Sequence, residues 1–126
     1  MQALRYLVLL CAAGSMFCQV PAPAYPAQVL FELGAKDEAA GRLERAKLAL
    51  ITLASTYSSS PLTAKARVEL GGIYMFMEAR AQVQSGRTSA ANDTFRVLVR
   101  VYPDSPLAQR ADEAARSLGI PPDPRR

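Results

Sequence analysis

Histidine and tryptophan are missing from all 126 residues, and cysteine occurs twice, as Cys11 and Cys18. Each shortage removes a chemistry. Without an imidazole there is neither a triad with a histidine base nor a histidine-held zinc, and two thiols are too few for a thiolate metal site. No catalytic residue, metal ligand or cofactor is therefore expected. Charge of one sign is also scarce, since Lys+Arg 15 against Asp+Glu 11 leaves +4, too small and scattered to point to nucleic acid. What the chain does hold is apolar material, 50% of residues with 21% charged. That is the balance of a folded domain and not of a disordered tail.

The first residues read as a leader. One positive charge, Arg5, precedes the apolar or small stretch Tyr6 to Phe17, and no acid occurs before Glu32. This order of a basic end and a short apolar run matches a secretory signal, whereas a membrane span needs about 20 apolar residues. Ala22-Pro23-Ala24 supplies the small residues a signal peptidase needs, which makes 1–24 the expected leader and Tyr25 the mature start. Cleavage before Cys18 with lipidation of its thiol is the other route, and it would hold the protein at a membrane. Phe17 stands where lipoprotein leaders carry Gly, Ala or Ser, so Cys11 and Cys18 read better as small apolar members of the leader. On the first route the mature chain is exported and free of cysteine, and packing alone holds it together.

Compared with itself at an offset of 45, the chain repeats Gly41-Arg42 as Gly86-Arg87, Ala46 as Ala91, Leu53 as Leu98, Tyr57 as Tyr102, Ser60-Pro61-Leu62 as Ser105-Pro106-Leu107 and Ala66 as Ala111. Chance gives about two identities over such a window, so a duplicated supersecondary unit is the simplest account. Each copy is helical by spacing. Leu43, Ala46, Leu50, Leu53 and Tyr57 step by three or four, as do Ala91, Phe95, Leu98 and Tyr102. Ala66, Leu70, Ile73, Tyr74, Met77 and Ala81 form a further stripe, and Leu107, Ala111, Ala114, Ala115 and Leu118 a last one before the breaker Pro121-Pro122. Ser60 and Ser105 fit N-caps with Pro61 and Pro106 opening the helix, while Gly41 and Gly86 fit left-handed helix ends. A long helix from about Leu62 to about Ser85 is expected to protrude beyond its neighbours.

These landmarks resemble the tetratricopeptide repeat family, in which helix pairs carry Leu-Gly in the first helix, Gly at the turn, and Ala, Phe and a closing Pro in the second. Leu33-Gly34, Gly41, Ala46, Leu50 and Leu53 stand in that order in the first unit, and Leu70-Gly71, Tyr74, Gly86, Ala91, Phe95, Leu98 and Pro103 in the second. The link Tyr102-Pro103-Asp104-Ser105-Pro106-Leu107-Ala108 is similar to the connection found in BamD-type outer-membrane assembly lipoproteins and in periplasmic Tol-Pal coordinating proteins. Ser58 departs from the family proline, and the offset exceeds the family's usual 34 residues. The resemblance implies an all-α helix-hairpin solenoid of about two and a half repeats over 25–119, followed by a Pro/Arg tail, 120–126.

By the same resemblance, the first helix of each pair lines a concave groove that takes a peptide segment or helix of an envelope protein. Its groove positions fall on Gln28, Phe31, Lys65, Val68, Met75, Phe76, Arg110 and Glu113. The implied role is a non-catalytic adaptor in outer-membrane protein assembly, at the periplasm or the periplasmic face of the outer membrane. The alternative is a coordinator of Tol-Pal or cell-wall proteins, or an oligomeric spacer; so short an array leaves open ends that self-association would cover. Glu32, Asp37, Glu38 and Glu44 are expected on a solvated helix face beside Lys36 and Arg45. Gly71-Gly72 lacks the lysine of a phosphate loop.

Overall fold

The computed structural model describes residues 26–119 and 125, so the expected leader with Cys11 and Cys18, its cleavage site, and all of the tail except Arg125 lie outside the described residues. Five helices and no strand make up the described chain: α1 (Pro26–Ala39), α2 (Leu43–Thr56), α3 (Leu62–Gln84), α4 (Thr88–Val101) and α5 (Pro106–Ser117). The all-helical class expected from the spacing is what the chain adopts. None of these helices is long and apolar enough to cross a membrane.

Two of the connections are the same turn. Gly41 and Gly86 take φ of 77° and 75°, a region that a side chain disfavours by about 1–2 kcal/mol and glycine enters freely. Gly41 N–H donates to the Glu38 carbonyl at 2.9 Å and Arg42 N–H to that of Asp37 at 2.8 Å; Gly86 and Arg87 do the same to Val83 and Gln82 at 3.0 and 2.8 Å. These paired bonds satisfy the last carbonyls of α1 and α3 and reverse the chain within three residues. The other two connections also match. Tyr57 N–H and Tyr102 N–H close on Leu53 and Leu98, and the hydroxyls of Ser60 and Ser105 accept from the amides of Leu62 and Leu107 at 3.2 and 3.1 Å.

Consecutive helices pack side by side, and α1 also touches α3 and α5, which touch each other. Leu50, Leu53, Ile73, Phe95, Leu98 and Leu107 fill the centre with almost no exposed surface. Ala46, Ala66, Ala91 and Ala111 are fully buried among them; such small side chains let helix backbones close up where a larger one would hold them apart. Gly34 does the same more severely, because a Cβ there would stand 2.7 Å from Leu50 Cδ2.

The length of α3 has a readable origin. Carried beyond the conspicuous identities, the offset of 45 maps α1 onto Gly71–Gln84 of α3 and α5 onto Pro61, the residue before α3, and the first part of that helix to Gly72. Phe31 thus corresponds to Phe76, both packed on the core, Gly34 to buried Ala79, and Asp37 to buried Gln82. One continuous rod therefore carries the counterparts of both shorter helices.

Three packing expectations fail. Leu33 is 42% and Tyr74 50% exposed, and Ala81 is exposed as well. The inward line of α3 runs instead through Ile73, Phe76, Ala79 and Gln82. Its C-terminal half turns toward α4, where Phe76 meets Phe95 edge-on at 5.5 Å and Thr94 Oγ1 donates to Gln82 Oε1 at 2.9 Å. On α1, Leu33 is partly exposed beside Gly34, which is the residue that packs on Leu50.

Candidate functional site

The end of α1, the middle of α3 and the start of α5 meet at a cluster of polar groups. Gly71 and Gly72 make the meeting possible, since a Cβ on Gly71 would overlap the Tyr102 ring, and one on Gly72 would touch Ser105 Oγ at 3.4 Å. With two side chains absent, the Tyr102–Ser105 link lies directly on the α3 backbone. Ser105 Oγ then does two jobs. It accepts from Leu107 N–H as the cap of α5 and donates to Glu38 Oε1 at 3.0 Å across 67 residues of sequence. At the fifth residue of α5, Arg110 Nη2 donates to the carbonyl of Ala39 at 2.9 Å, so a cation closes the negative end of α1.

Glu32 and Glu44 are exposed as expected, but Asp37 and Glu38 are each only 1% exposed, which corrects the expectation of a solvated face for those two. Asp37 is compensated locally: Arg42 Nε donates to its Oδ1 at 2.7 Å, and Arg45 Nε stands 3.6 Å from Oδ2. Glu38 has no such cation. Burial raises its pKa most, a hydrogen bond and charge repulsion with Glu69 raise it further, and the Ser105 hydroxyl opposes them; the net effect is a rise from 4.5 to about 8. Its second oxygen, Oε2, is buried with no donor. An ionised carboxylate is an acceptor only, so two facing carboxylates cannot bond to each other until one of them takes a proton. At neutral pH Glu38 is accordingly a neutral acid able to donate to Glu69.

The groove positions divide into two groups. Phe31, Met75 and Phe76 are half-buried and pack against the core, while Lys65, Val68 and Arg110 are exposed. Val68, 57% exposed, borders a shallow cavity of about 110 Å³ with Glu69, Tyr102, Asp104 and Ser105. Arg110 is committed to Ala39, and Gln28 and Glu113 make hydrogen bonds within their own helices to Glu32 and from Gln109.

The C-terminal end of α3, expected to protrude, is instead packed through Ala79 and Gln82 and flanked on both sides. One flank is an open cleft of about 480 Å³ between Gly41–Arg45 and Met77–Gln84, with Arg42, Arg45 and Arg80 on its walls. The other, about 250 Å³, is lined by Val83, Phe95, Ala114 and Leu118 with Arg80 and Gln84 at its edge. Among the described residues no set of three or more His, Cys, Asp or Glu is placed to hold a metal ion. What the arrangement offers chemically is surface: apolar side chains, arginines, and one buried carboxyl, Glu38, that keeps its proton beside the half-buried Glu69.

The helical pattern did not disclose the buried carboxyls, because Asp37 and Glu38 sit among Lys36, Arg42 and Arg45 like any surface charges. A weak signal existed in the register of the repeat, which pairs Asp37 with the uncharged Gln82 and Glu38 with the apolar Val83. Set against protein-family models, curated proteins and solved structures, the chain matches none of them.

Proposed function

We propose that the chain is a non-catalytic adaptor, a tetratricopeptide-like solenoid of about two and a half helix pairs that presents a face to a segment of another cell-envelope protein. The supporting observation is the duplicated backbone: two hairpins with the same left-handed glycine turn, the same tyrosine-to-serine link and buried alanines in register. Such units bury one side of each helix against the next and leave an extended face to a partner. On this reading Lys65 and Val68 lie on the partner face, and Phe31, Met75 and Phe76 stiffen it from beneath. The resemblance of the Tyr102–Ala108 link extends the proposal to an exported protein that serves outer-membrane protein assembly in the BamD manner, anchored to the membrane if Cys18 is lipidated and otherwise free in the periplasm.

A second reading, an oligomeric spacer or a coordinator of Tol-Pal or cell-wall proteins, has its own observation. Val29, Leu33, Leu48 and Ile51 are 39–67% exposed on the first helix pair, and the cavity bordered by Val83, Ala114 and Leu118 opens at the other end of the chain. Two different apolar ends suit head-to-tail stacking of copies. Affinity capture from crosslinked cell envelopes separates the readings. Recovery of a barrel-assembly protein is the expected result for the first; recovery of Tol-type proteins, cell-wall enzymes or the chain itself overturns it in favour of the second.

A further inference from the structure

Glu38 joins three helices with a single side chain. It stands in the last turn of α1, faces Glu69 on α3, and receives the Ser105 hydroxyl at the start of α5. We propose that Glu38 is a proton-held clasp: with a proton shared between its carboxyl and that of Glu69 it fastens α1 to α3 and α5, and loss of that proton loosens α1 from the array. Among the described residues no ion pair to Glu38 takes the place of the proton. Of the charged and titratable groups on the packed elements, Asp37 on α1 is taken by Arg42 and Arg45 of α2, and Arg110 of α5 is taken by the Ala39 carbonyl. Glu69 on α3 and Ser105 at the start of α5 are the groups that act on Glu38 most.

The energetics follow from this geometry. An ionised Glu38 would be a charge at 1% exposure with one neutral donor and a carboxylate facing it. Burying such a charge is costly, and the chain relieves the cost in one of two ways: it keeps the proton, or it moves the carboxylate to water. Moving it to water means displacing the end of α1 from α3 and α5, where the Arg110 bond to Ala39 also holds it, while Asp37 keeps its pairing with Arg42 and Arg45. Glu38 titrates from 4.5 unfolded toward about 8 when packed, which puts the switch near neutral to mildly alkaline pH.

The test uses the full chain labelled with ¹³C at the glutamate carboxyls, titrated by NMR, alongside hydrogen exchange of the α1 amides corrected for intrinsic rate at each pH. One glutamate signal, lost in E38Q, is expected to titrate well above the ordinary carboxylate range. As it loses its proton, α1 protection is expected to fall about tenfold or more, and in E38Q, whose amide donates to Glu69 at every pH, to stay level. E69Q is expected to lower the Glu38 midpoint and S105A to raise it, since the one removes a group that favours the proton and the other a group that opposes it. An ordinary carboxylate midpoint for Glu38 overturns the proposal, and so does a high midpoint without any change in α1 protection.

Discussion

At the scale of single residues, chemistry and position often pull apart in this chain. Glu38 is charged by type and neutral by place, and its proton links stability to pH. Below about 4.5 the group is protonated in both folded and unfolded chains; between 4.5 and about 8 the folded chain holds a proton that the unfolded chain does not. Stability is therefore expected to fall as pH rises through that window, by up to about 1.4 kcal/mol per pH unit, and to level off above it. Urea denaturation of wild type and E38Q across the window checks this: the difference between the two carries the slope, and parallel curves contradict it. The turn glycines give a second comparison. Ala at Gly86 meets nothing within 4 Å, so G86A is expected to cost about 1–2 kcal/mol for the left-handed backbone alone. G41A has the same backbone cost, but its new Cβ also collides with the Arg110 guanidinium. Thermal or urea denaturation is expected to rank G41A below G86A, and equal losses would show that Arg110 yields freely.

At the scale of the element, what the sequence told was mostly punctuation. Gly41, Gly86, Ser60-Pro61 and Ser105-Pro106 mark helix ends because each satisfies or releases a particular backbone group, and the helices begin and stop within a residue or two of them. The sides of the helices were less legible. Tyr74 and Ala81 followed the stepping of a buried stripe and turned out exposed, since helical spacing names a face without naming what covers it. In α3 the covering helix changes along its length, from a flank shared with α2 to one closed by α4, and the buried line rotates with it. The starts of α2 and α4 are also weak, with Arg42 and Arg87 in the cap position and no side-chain hydrogen bond to the first turn. Replacing Arg87 by Ser is expected to stabilise the fold by about 0.5–1 kcal/mol. The same change at Arg42 also removes the Asp37 ion pair and leaves a buried carboxylate poorly compensated, so a net loss is expected there. Denaturant midpoints of the two variants decide it.

At the scale of the whole molecule, the duplication was legible in nine identities at one offset, and it led to the hairpin turns, the links and the long central helix. The polar cluster at the meeting of α1, α3 and α5 was not, because Glu38 and Ser105 lie 67 residues apart and Val83, the counterpart of Glu38, carries no charge. A contact peculiar to one copy shows in a comparison of the copies only as a mismatch, which names no partner. The apolar exposure of the first pair belongs to this scale too. Leu48 is 67% exposed, so Leu48→Lys is expected to leave stability within about 0.5 kcal/mol. If copies stack through that end, sedimentation equilibrium reports a loss of association in the same variant; unchanged association places the contact elsewhere.

The adaptor reading requires one face of the array to be occupied and the other bare. A photocrosslinking amino acid placed in turn at Lys65, Val68, Ser55 and Arg100, all exposed, examines this in intact cells. The first two stand on the long helix assigned to the partner face, and the last two on α2 and α4. Adducts to one discrete partner from Lys65 and Val68, with none from Ser55 and Arg100, is the outcome the account requires. Equal adducts from all four positions, or from Ser55 and Arg100 alone, would contradict it.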